Sequence, residues 1–161
     1  MDRLWAPWRM TYVSAAEPPA GGCVFCAALA AGDDRRSLIV HRGSEAFLIL
    51  NAYPYASGHL MAVITRHGGG LLDASPRELA DAMALVQSGM RALTSAYRPH
   101  GFNVGVNEGR VAGAGVPDHL HVHVVPRWDG DTSFMAVLGD TRVLPESIDA
   151  TYDRLRAVLH A

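Results

Sequence analysis

Five short segments of this chain are rich in hydrophobic residues, either alternating with polar ones or continuous, as is typical of β-strands. Three come early, at residues 37–41, 45–51 and 59–65, and turns containing glycine, serine or proline separate them. Two more lie at residues 102–106 and 119–125. We therefore expect five strands, the first three joined by short connections.

Helical spacing predicts three further elements. An alanine-rich segment at residues 24–31 favours a short helix, and residues 145–159 carry apolar side chains at intervals of three and four. The longest predicted helix follows Ser75, which suits the N-cap, with Pro76 in the first turn and Glu78 completing a capping box. Its predicted buried stripe consists of Leu79, Met83, Val86, Met90, Leu93 and Tyr97.

This order of elements predicts an α+β fold with an antiparallel sheet. A length of 161 residues without repeats or linkers fits one domain over residues 1–161. Residues 1–22 are rich in aromatic residues and proline, so we expect an extended N-terminal arm there.

Composition excludes several kinds of chemistry. All 14 residues in the Lys+Arg total are arginine, so neither a lysine Schiff base nor a P-loop is possible. The net charge of −2 argues against a nucleic-acid partner. No segment resembles a signal peptide or a membrane span, which predicts a cytoplasmic protein without a membrane partner. The charged fraction of 19% lies below the usual ~25%, which is compatible with a subunit interface.

Three histidines, His119, His121 and His123, alternate with hydrophobic residues in one predicted strand. They therefore share a face of that strand. Mutual repulsion should lower their pKa values and keep at least one ring neutral near pH 7. A neutral ring nitrogen suits two uses, which the pattern alone leaves open. The three rings could hold a catalytic zinc, or one could attack phosphorus while its neighbours orient the phosphate.

The two cysteines, Cys23 and Cys26, form one Cys-x-x-Cys motif rather than a disulfide framework. A redox motif of this kind would follow a strand, and the segment before Cys23 does not resemble one. As half of a structural zinc site the pair needs two more ligands, for which His67 and one histidine of the strand are available.

Together these motifs resemble the histidine triad (HIT) family over nearly the whole chain. The resemblance rests on the Gly-His segment at residues 58–67, on Asn107-Glu108-Gly109 with Ala112-Gly113, and on the histidine strand followed by Pro126-Arg127. It implies a HIT-like fold with about five strands per subunit, one long helix, a C-terminal helix, and a sheet continued across a homodimer.

Three further segments resemble the bacterial diadenosine tetraphosphate phosphorylase branch of that family. They are residues 4–9, residues 126–128, and Gly130-Asp131 with Phe134. The resemblance implies a dinucleoside polyphosphate substrate, with inorganic phosphate rather than water as the acceptor.

The resemblance also implies roles for individual residues. Cys23, Cys26, His67 and His119 match ligands of a structural zinc ion in bacterial members. His121 matches the nucleophile that forms a nucleotidyl-histidine, and His123 and His59 match residues that contact phosphate oxygens. The expected substrate-binding residues are Asn51 at ribose, Asn107 near the phosphates, Gly113 and Gly115 through backbone amides, and Trp128 stacking on a base. Asn51 could instead serve a turn, Asn107 could simply end a strand, and Trp128 could fill the edge of the core.

The sequence departs from the family pattern at two places. Gly115 stands where many members carry a serine, which leaves the acid for the leaving group open, with Asp118 a candidate by proximity. Thr65-Arg66 replaces the usual lysine before His67. Hydrolysis by water, a nucleoside phosphoramidase, a non-catalytic nucleotide-binding module and a zinc hydrolase remain alternatives to the phosphorylase.

Overall fold

The structure, a computed structural model, describes residues 22–131 and 145–160. The arm predicted for residues 1–22 lies outside the described residues apart from Gly22, and so does Phe134. In the described part of the chain no helix is both long enough and apolar enough to cross a membrane.

Five strands form one sheet in which every neighbouring pair is antiparallel, as predicted. The strand order is β1-β2-β3-β5-β4. The strands are β1 Ile39–Arg42, β2 Ala46–Leu50, β3 Leu60–Ile64, β4 Gly101–Gly105 and β5 His121–Arg127. The connection from β3 through the long helix to β4 leaves room for β5 to enter between them. The histidine strand therefore lies inside the sheet, where its neighbours fix it on both sides.

Within residues 22–131 and 145–160, three α-helices accompany the sheet: α1 Val24–Ala30, α2 Pro76–Tyr97 and α3 Ile148–Leu159. The capping box of α2 is confirmed, because Glu78 N–H donates to Ser75 Oγ and Ser75 N–H donates to the Glu78 carboxylate. Helix α3 begins three residues later than residue 145, since Ser147 caps it by accepting from Ala150 N–H.

Five of the six residues in the predicted stripe of α2 lie in the core or pack against it, and Met83 is the exception. Met83 is 48% exposed, although its spacing placed it among the core residues. The residues that α2 buries include the small Ala82, Gly89 and Ala92 beside the larger Leu85, Val86 and Leu93. At Gly89 an added Cβ would lie only 3.1 Å from Leu60 Cδ1, so the small side chains let the helix approach the sheet closely. A prediction based on large side chains finds Val86 and Leu93 but misses the small residues beside them.

The two faces of the sheet carry different layers. Helices α2 and α3 pack on one face, over a core that includes Leu48, Leu60, Ala62, Val122 and Val124. The opposite face is covered by a smaller cluster around Phe25 of α1, consisting of Ile39, Phe47, Ile49, Met61 and Val63. Met61 pairs with His123 and Val63 pairs with His121, so the histidines lie on the face that α1 covers.

Candidate active site and metal centre

His121 lies in the first position of β5, buried against the Phe25 ring at a centroid distance of 5.2 Å. Its Nδ1 is 2.8 Å from the backbone oxygen of His119. A carbonyl can only accept, so Nδ1 must carry the proton. Burial lowers the pKa of His121 and favours the neutral ring. The neutral ring then keeps an unprotonated Nε2, which is the form a nucleophile needs.

His59 and His123 form a second unit of the site. His59 Nε2 lies 3.0 Å from His123 Nδ1. The backbone N–H of Tyr55 donates to His59 Nδ1 at 3.2 Å. Because that amide is only a donor, His59 Nδ1 must accept, and a neutral His59 carries its proton on Nε2.

The proton positions then follow along the chain of hydrogen bonds. His59 Nε2–H donates to His123 Nδ1, which leaves the proton of a neutral His123 on Nε2. Burial, with a smaller contribution from His121, lowers the pKa of His123 to about 4, so the neutral ring is the form present at pH 7. His123 is therefore a fixed hydrogen-bond donor through Nε2.

These two units are adjacent. The His121 and His123 rings are 4.9 Å apart between centroids and nearly perpendicular. A nitrogen with a free lone pair thus stands beside a ring that donates a proton. That combination can attack an electrophilic phosphorus and stabilise the charge that develops on its oxygens.

The predicted metal ligands also converge. One ligand atom from each of Cys23, Cys26, His67 and His119 lies within 4.8 Å of the others. His119 Nδ1 is 3.1 Å from Cys23 Sγ, 3.7 Å from Cys26 Sγ and 3.4 Å from His67 Nδ1. Cys26 Sγ is 3.5 Å from His67 Nδ1.

These separations fit a tetrahedral zinc shell. With Zn–S near 2.3 Å and Zn–N near 2.0–2.1 Å, a tetrahedron places sulfur and nitrogen about 3.5 Å apart and two nitrogens about 3.4 Å apart. His119 Nε2 lies 2.7 Å from the Ile64 carbonyl, which fixes its proton on Nε2 and leaves Nδ1 to face the cluster. The donor set and its outer hydrogen bond therefore fit the structural zinc that the family resemblance implies.

Burial shifts the pKa values of the two kinds of ligand in the cluster in opposite directions. It lowers the pKa of His119, which favours the neutral imidazole that binds metal. It also raises the pKa of the Cys26 thiol, and the neighbouring Cys23 adds to this effect. A divalent cation would offset the cost of the two thiolates.

His119 connects the metal centre to the candidate active site. Its side chain belongs to the cluster, while its backbone oxygen holds the Nδ1 proton of His121. The strand begins at His121, so His119 precedes it rather than belonging to it as predicted; the His119 ring joins the Cys/His cluster, and the His121 and His123 rings lie side by side in β5.

Asn51 is engaged in a turn. Its side-chain oxygen accepts from the backbone N–H of Tyr53 at 2.9 Å, as the turn alternative requires. Asn51 also lines one cavity together with His59 and Ser57. Its position near His59 keeps the ribose role as a prediction.

The loop between β4 and β5 carries the remaining predicted phosphate contacts. Asn107 follows β4 and is half-buried. Gly113 ends a 3₁₀ turn at Arg110–Ala112 with a φ of 90°, and its N–H already donates to the Arg110 carbonyl at 2.9 Å. Gly115 lies two residues further on, and its amide is the better candidate for a phosphate contact.

Trp128 lies just beyond β5. Its indole N–H donates to the Tyr97 carbonyl at the end of α2, at 3.4 Å. Helix α2 covers the face of the sheet opposite the histidines, so this contact favours packing at the core edge over stacking on a base.

Two aromatic residues of the site had no role assigned from sequence. The Tyr55 ring lies 4.6 Å from the His59 ring, and Phe25 contacts both His119 and His121. The Tyr-Pro-Tyr segment shortly before His59 was the available signal for the first. Phe25 could only be found once α1 was placed on the histidine face.

The comparisons with known proteins agree with this geometry. The family model described as HIT domain matches residues 34–130. AP-4-A phosphorylase of Mycobacterium tuberculosis is 41% identical, over 94% of this chain and 80% of that protein. The chain therefore belongs to the HIT domain family. The predicted resemblance to diadenosine tetraphosphate phosphorylases is confirmed by this relative.

Solved structures share the fold. A zinc-bound histidine triad family protein from Mycobacterium smegmatis superimposes with a TM-score of 0.70 at 30% identity, covering 86% of this chain and 93% of the other. A hypothetical histidine triad nucleotide-binding protein from Sulfolobus tokodaii gives a TM-score of 0.69 at 26% identity, covering 86% and 92%. The predicted HIT-like fold is thus confirmed.

Proposed function

We propose that this protein is a nucleotidyltransferase that cleaves the α-phosphate linkage of a dinucleoside polyphosphate such as diadenosine tetraphosphate. His121 is the nucleophile, and inorganic phosphate accepts the nucleotidyl group. The observation that carries this proposal is the hydrogen bond from His121 Nδ1–H to the His119 carbonyl, because it leaves Nε2 unprotonated. The substrate class is supported by the name of the Mycobacterium tuberculosis relative.

The reaction takes two displacements at one phosphorus. In the first, the Nε2 lone pair of His121 forms a P–N bond and the P–O bond to the leaving nucleotide breaks, releasing ATP. In the second, a phosphate oxygen forms a P–O bond, the P–N bond breaks, and ADP leaves. His123 Nε2–H, held in place by His59, stabilises the equatorial charge in both transition states.

The glycine at position 115 favours this substrate class over a phosphoramidate. A polyphosphate leaves as an anion whose last ionisation lies near pKa ~6, so it needs little protonation at pH 7. An amine expelled from a phosphoramidate must gain a proton as the P–N bond breaks. A site with Gly115 in place of a serine hydroxyl therefore suits the anionic leaving group.

Around this centre we assign Asn51 to the ribose, and Asn107 and the backbone amide of Gly115 to the phosphates, while Gly113 shapes the loop that carries Gly115. The Cys23, Cys26, His67 and His119 cluster holds a structural Zn²⁺. Four protein ligands complete its shell and leave no position for substrate, which separates this centre from a catalytic zinc. The ion ties α1 to the start of β5, and hence to the carbonyl that orients His121. We further propose a homodimer in which the sheet continues through β4.

Product analysis tests the function. Diadenosine tetraphosphate with inorganic phosphate should yield ADP and ATP, separated by anion-exchange chromatography. The variant His121→Ala should lose turnover by on the order of 10³-fold or more while retaining nucleotide binding. His100→Ala is the matched control, because His100 is exposed, its Nδ1 accepts from the Asp129 backbone N–H at 3.0 Å, and the variant should keep full activity. AMP and ATP formed without any need for phosphate would show hydrolysis instead, and a fully active His121→Ala variant would overturn the nucleophile.

A further inference from the structure

The four residues of the metal cluster are anchored to very different degrees. Cys23 and Cys26 belong to the start of α1, and His119 is buried with its Nε2 held by the Ile64 carbonyl. His67 is exposed and is followed by Gly68-Gly69-Gly70. Among the described residues, the hydrogen bonds of its ring go to the other ligands, Cys26 and His119. The position of His67 therefore depends on the backbone on either side of it, and on the C-terminal side Leu120 N–H donates to the Gly68 carbonyl at 2.7 Å.

Arg66, the residue before His67, closes the loop that carries this ligand. Its Nε donates to Glu78 Oε1 at 2.7 Å, and one terminal nitrogen donates to Glu78 Oε2 at 3.1 Å and to the Asp73 carbonyl at 2.9 Å. A guanidinium bound bidentately to a carboxylate has a fixed orientation, so Arg66 joins the end of β3 to the start of α2.

Glu78 is the acceptor in two interactions at once. It is only 5% exposed, and besides Arg66 it accepts from the backbone N–H of Ser75 at 2.7 Å as part of the capping box. Arg66 and Ser75 together lower the pKa of Glu78 to about 2, so the carboxylate stays ionised at neutral pH. Removing Arg66 would leave the buried carboxylate without its cation. Breaking this pair should therefore cost more stability than breaking an exposed ion pair.

We propose that the Arg66–Glu78 pair is the positioning device for the zinc ligand His67, so that the capping box of α2 also sets the metal affinity of the protein. The inference rests on the structural zinc proposed above. Arg66 and Glu78 are not ligands themselves, and they act by fixing the backbone from which His67 extends. Arg66, at a position where the sequence departs from the family pattern, and Glu78 of the capping box thereby become one feature.

The test is the metal affinity of the full-length Glu78→Gln variant. Glutamine keeps the size of the side chain and can still accept from Ser75 N–H, but it removes the charge that Arg66 binds. Zn²⁺ affinity is measured by competition with a chromophoric chelator, and Co²⁺ absorption reports the tetrahedral shell. We expect affinity to fall by about 10- to 100-fold, as for outer partners of metal ligands in general, with weaker tetrahedral Co²⁺ bands.

Asp131→Asn is the matched control, since it removes the carboxylate of another bidentate pair, with Arg127, away from the cluster. It should leave Zn²⁺ affinity unchanged. Arg66→Gln provides a second variant that keeps Glu78 in the capping box, and it should weaken Zn²⁺ to a similar extent. Unchanged metal affinity in both Glu78→Gln and Arg66→Gln overturns the inference alone. A wild-type chain that binds neither Zn²⁺ nor Co²⁺ overturns the proposed metal centre as well, while leaving the nucleotidyl transfer at His121 to its own test.

Discussion

The tautomer and the pKa of His123, on which its predicted chemistry depends, are set by the groups that surround the ring. In water a histidine titrates near pKa 6.5 and exchanges its proton between two nitrogens. Here the hydrogen bond from His59 selects one tautomer, and burial lowers the pKa to about 4. The ring is thus a neutral donor over the whole physiological pH range.

This lowered pKa predicts a specific pH dependence of stability. The unfolded chain takes up a proton on this side chain below about pH 6.5, whereas the folded chain does so only near pH 4. The contribution of His123 is therefore fully present above pH 6.5 and is lost as the pH falls toward 4. In urea titrations the midpoint should decline less steeply from pH 7 to pH 5 in His123→Asn than in the wild type. Parallel declines in the two proteins would contradict the lowered pKa.

The sequence predicted part of this protonation. Alternation placed His119, His121 and His123 on one face and predicted lowered pKa values, which the structure confirms. The predicted cause was mutual repulsion, but burial is the larger one. The tautomers of these histidines could not be predicted from the sequence, because they depend on the positions of the Tyr55 amide and the His119 carbonyl in the folded chain.

Secondary structure was more predictable where local chemistry sets it. The capping box fixes the start of α2 within a few residues, so its sequence suffices. The small residues on the buried face of α2, such as Gly89, depend instead on how closely the sheet approaches, which no local pattern reveals. For the same reason the pairing of Arg66 with Glu78 could not be predicted, although each residue stood out separately.

Gly58 is the point where the turn into β3 depends on a missing side chain. Its φ is 81°, and an added Cβ would lie 2.6 Å from Leu93 Cδ2. Gly58→Ala should therefore destabilise the protein by roughly 1–3 kcal/mol from backbone strain, with the clash adding to it. It should also reduce activity, because His59 is the next residue.

Thermal unfolding measures this effect. Gly101→Ala is the control, since an added Cβ there meets nothing within 4 Å and its φ is not in the left-handed region. We expect its melting temperature to stay close to that of the wild type. Equal melting temperatures for the two variants would show that the turn before His59 tolerates a side chain.

The two edges of the sheet are unequal. At the β1 edge, α3 and the residue after it supply partners for the backbone: Tyr152 O–H donates to the Ile39 carbonyl at 3.2 Å, and His160 Nε2 lies 3.1 Å from the Val40 carbonyl. At the other edge, the β4 residues Asn103, Val104 and Gly105 are exposed, and no further described strand lies beyond them. An open edge strand is a template for pairing with another chain. The sequence could not say which edge stays open, because that depends on where α3 returns.

A dimer that forms through β4 should dissociate when a charge is introduced into this strand. Across a two-fold axis each residue of this edge meets the same short stretch of its partner. Val104→Glu, at a side chain that is 42% exposed, places two like charges close together and removes an apolar contact. Light scattering coupled to size exclusion should show a dimer for the wild type and a monomer for Val104→Glu at the same concentration. Met83→Glu, on a comparably exposed residue of α2, should remain dimeric. A monomeric wild type, or a Val104→Glu variant that stays dimeric, would exclude β4 as the interface.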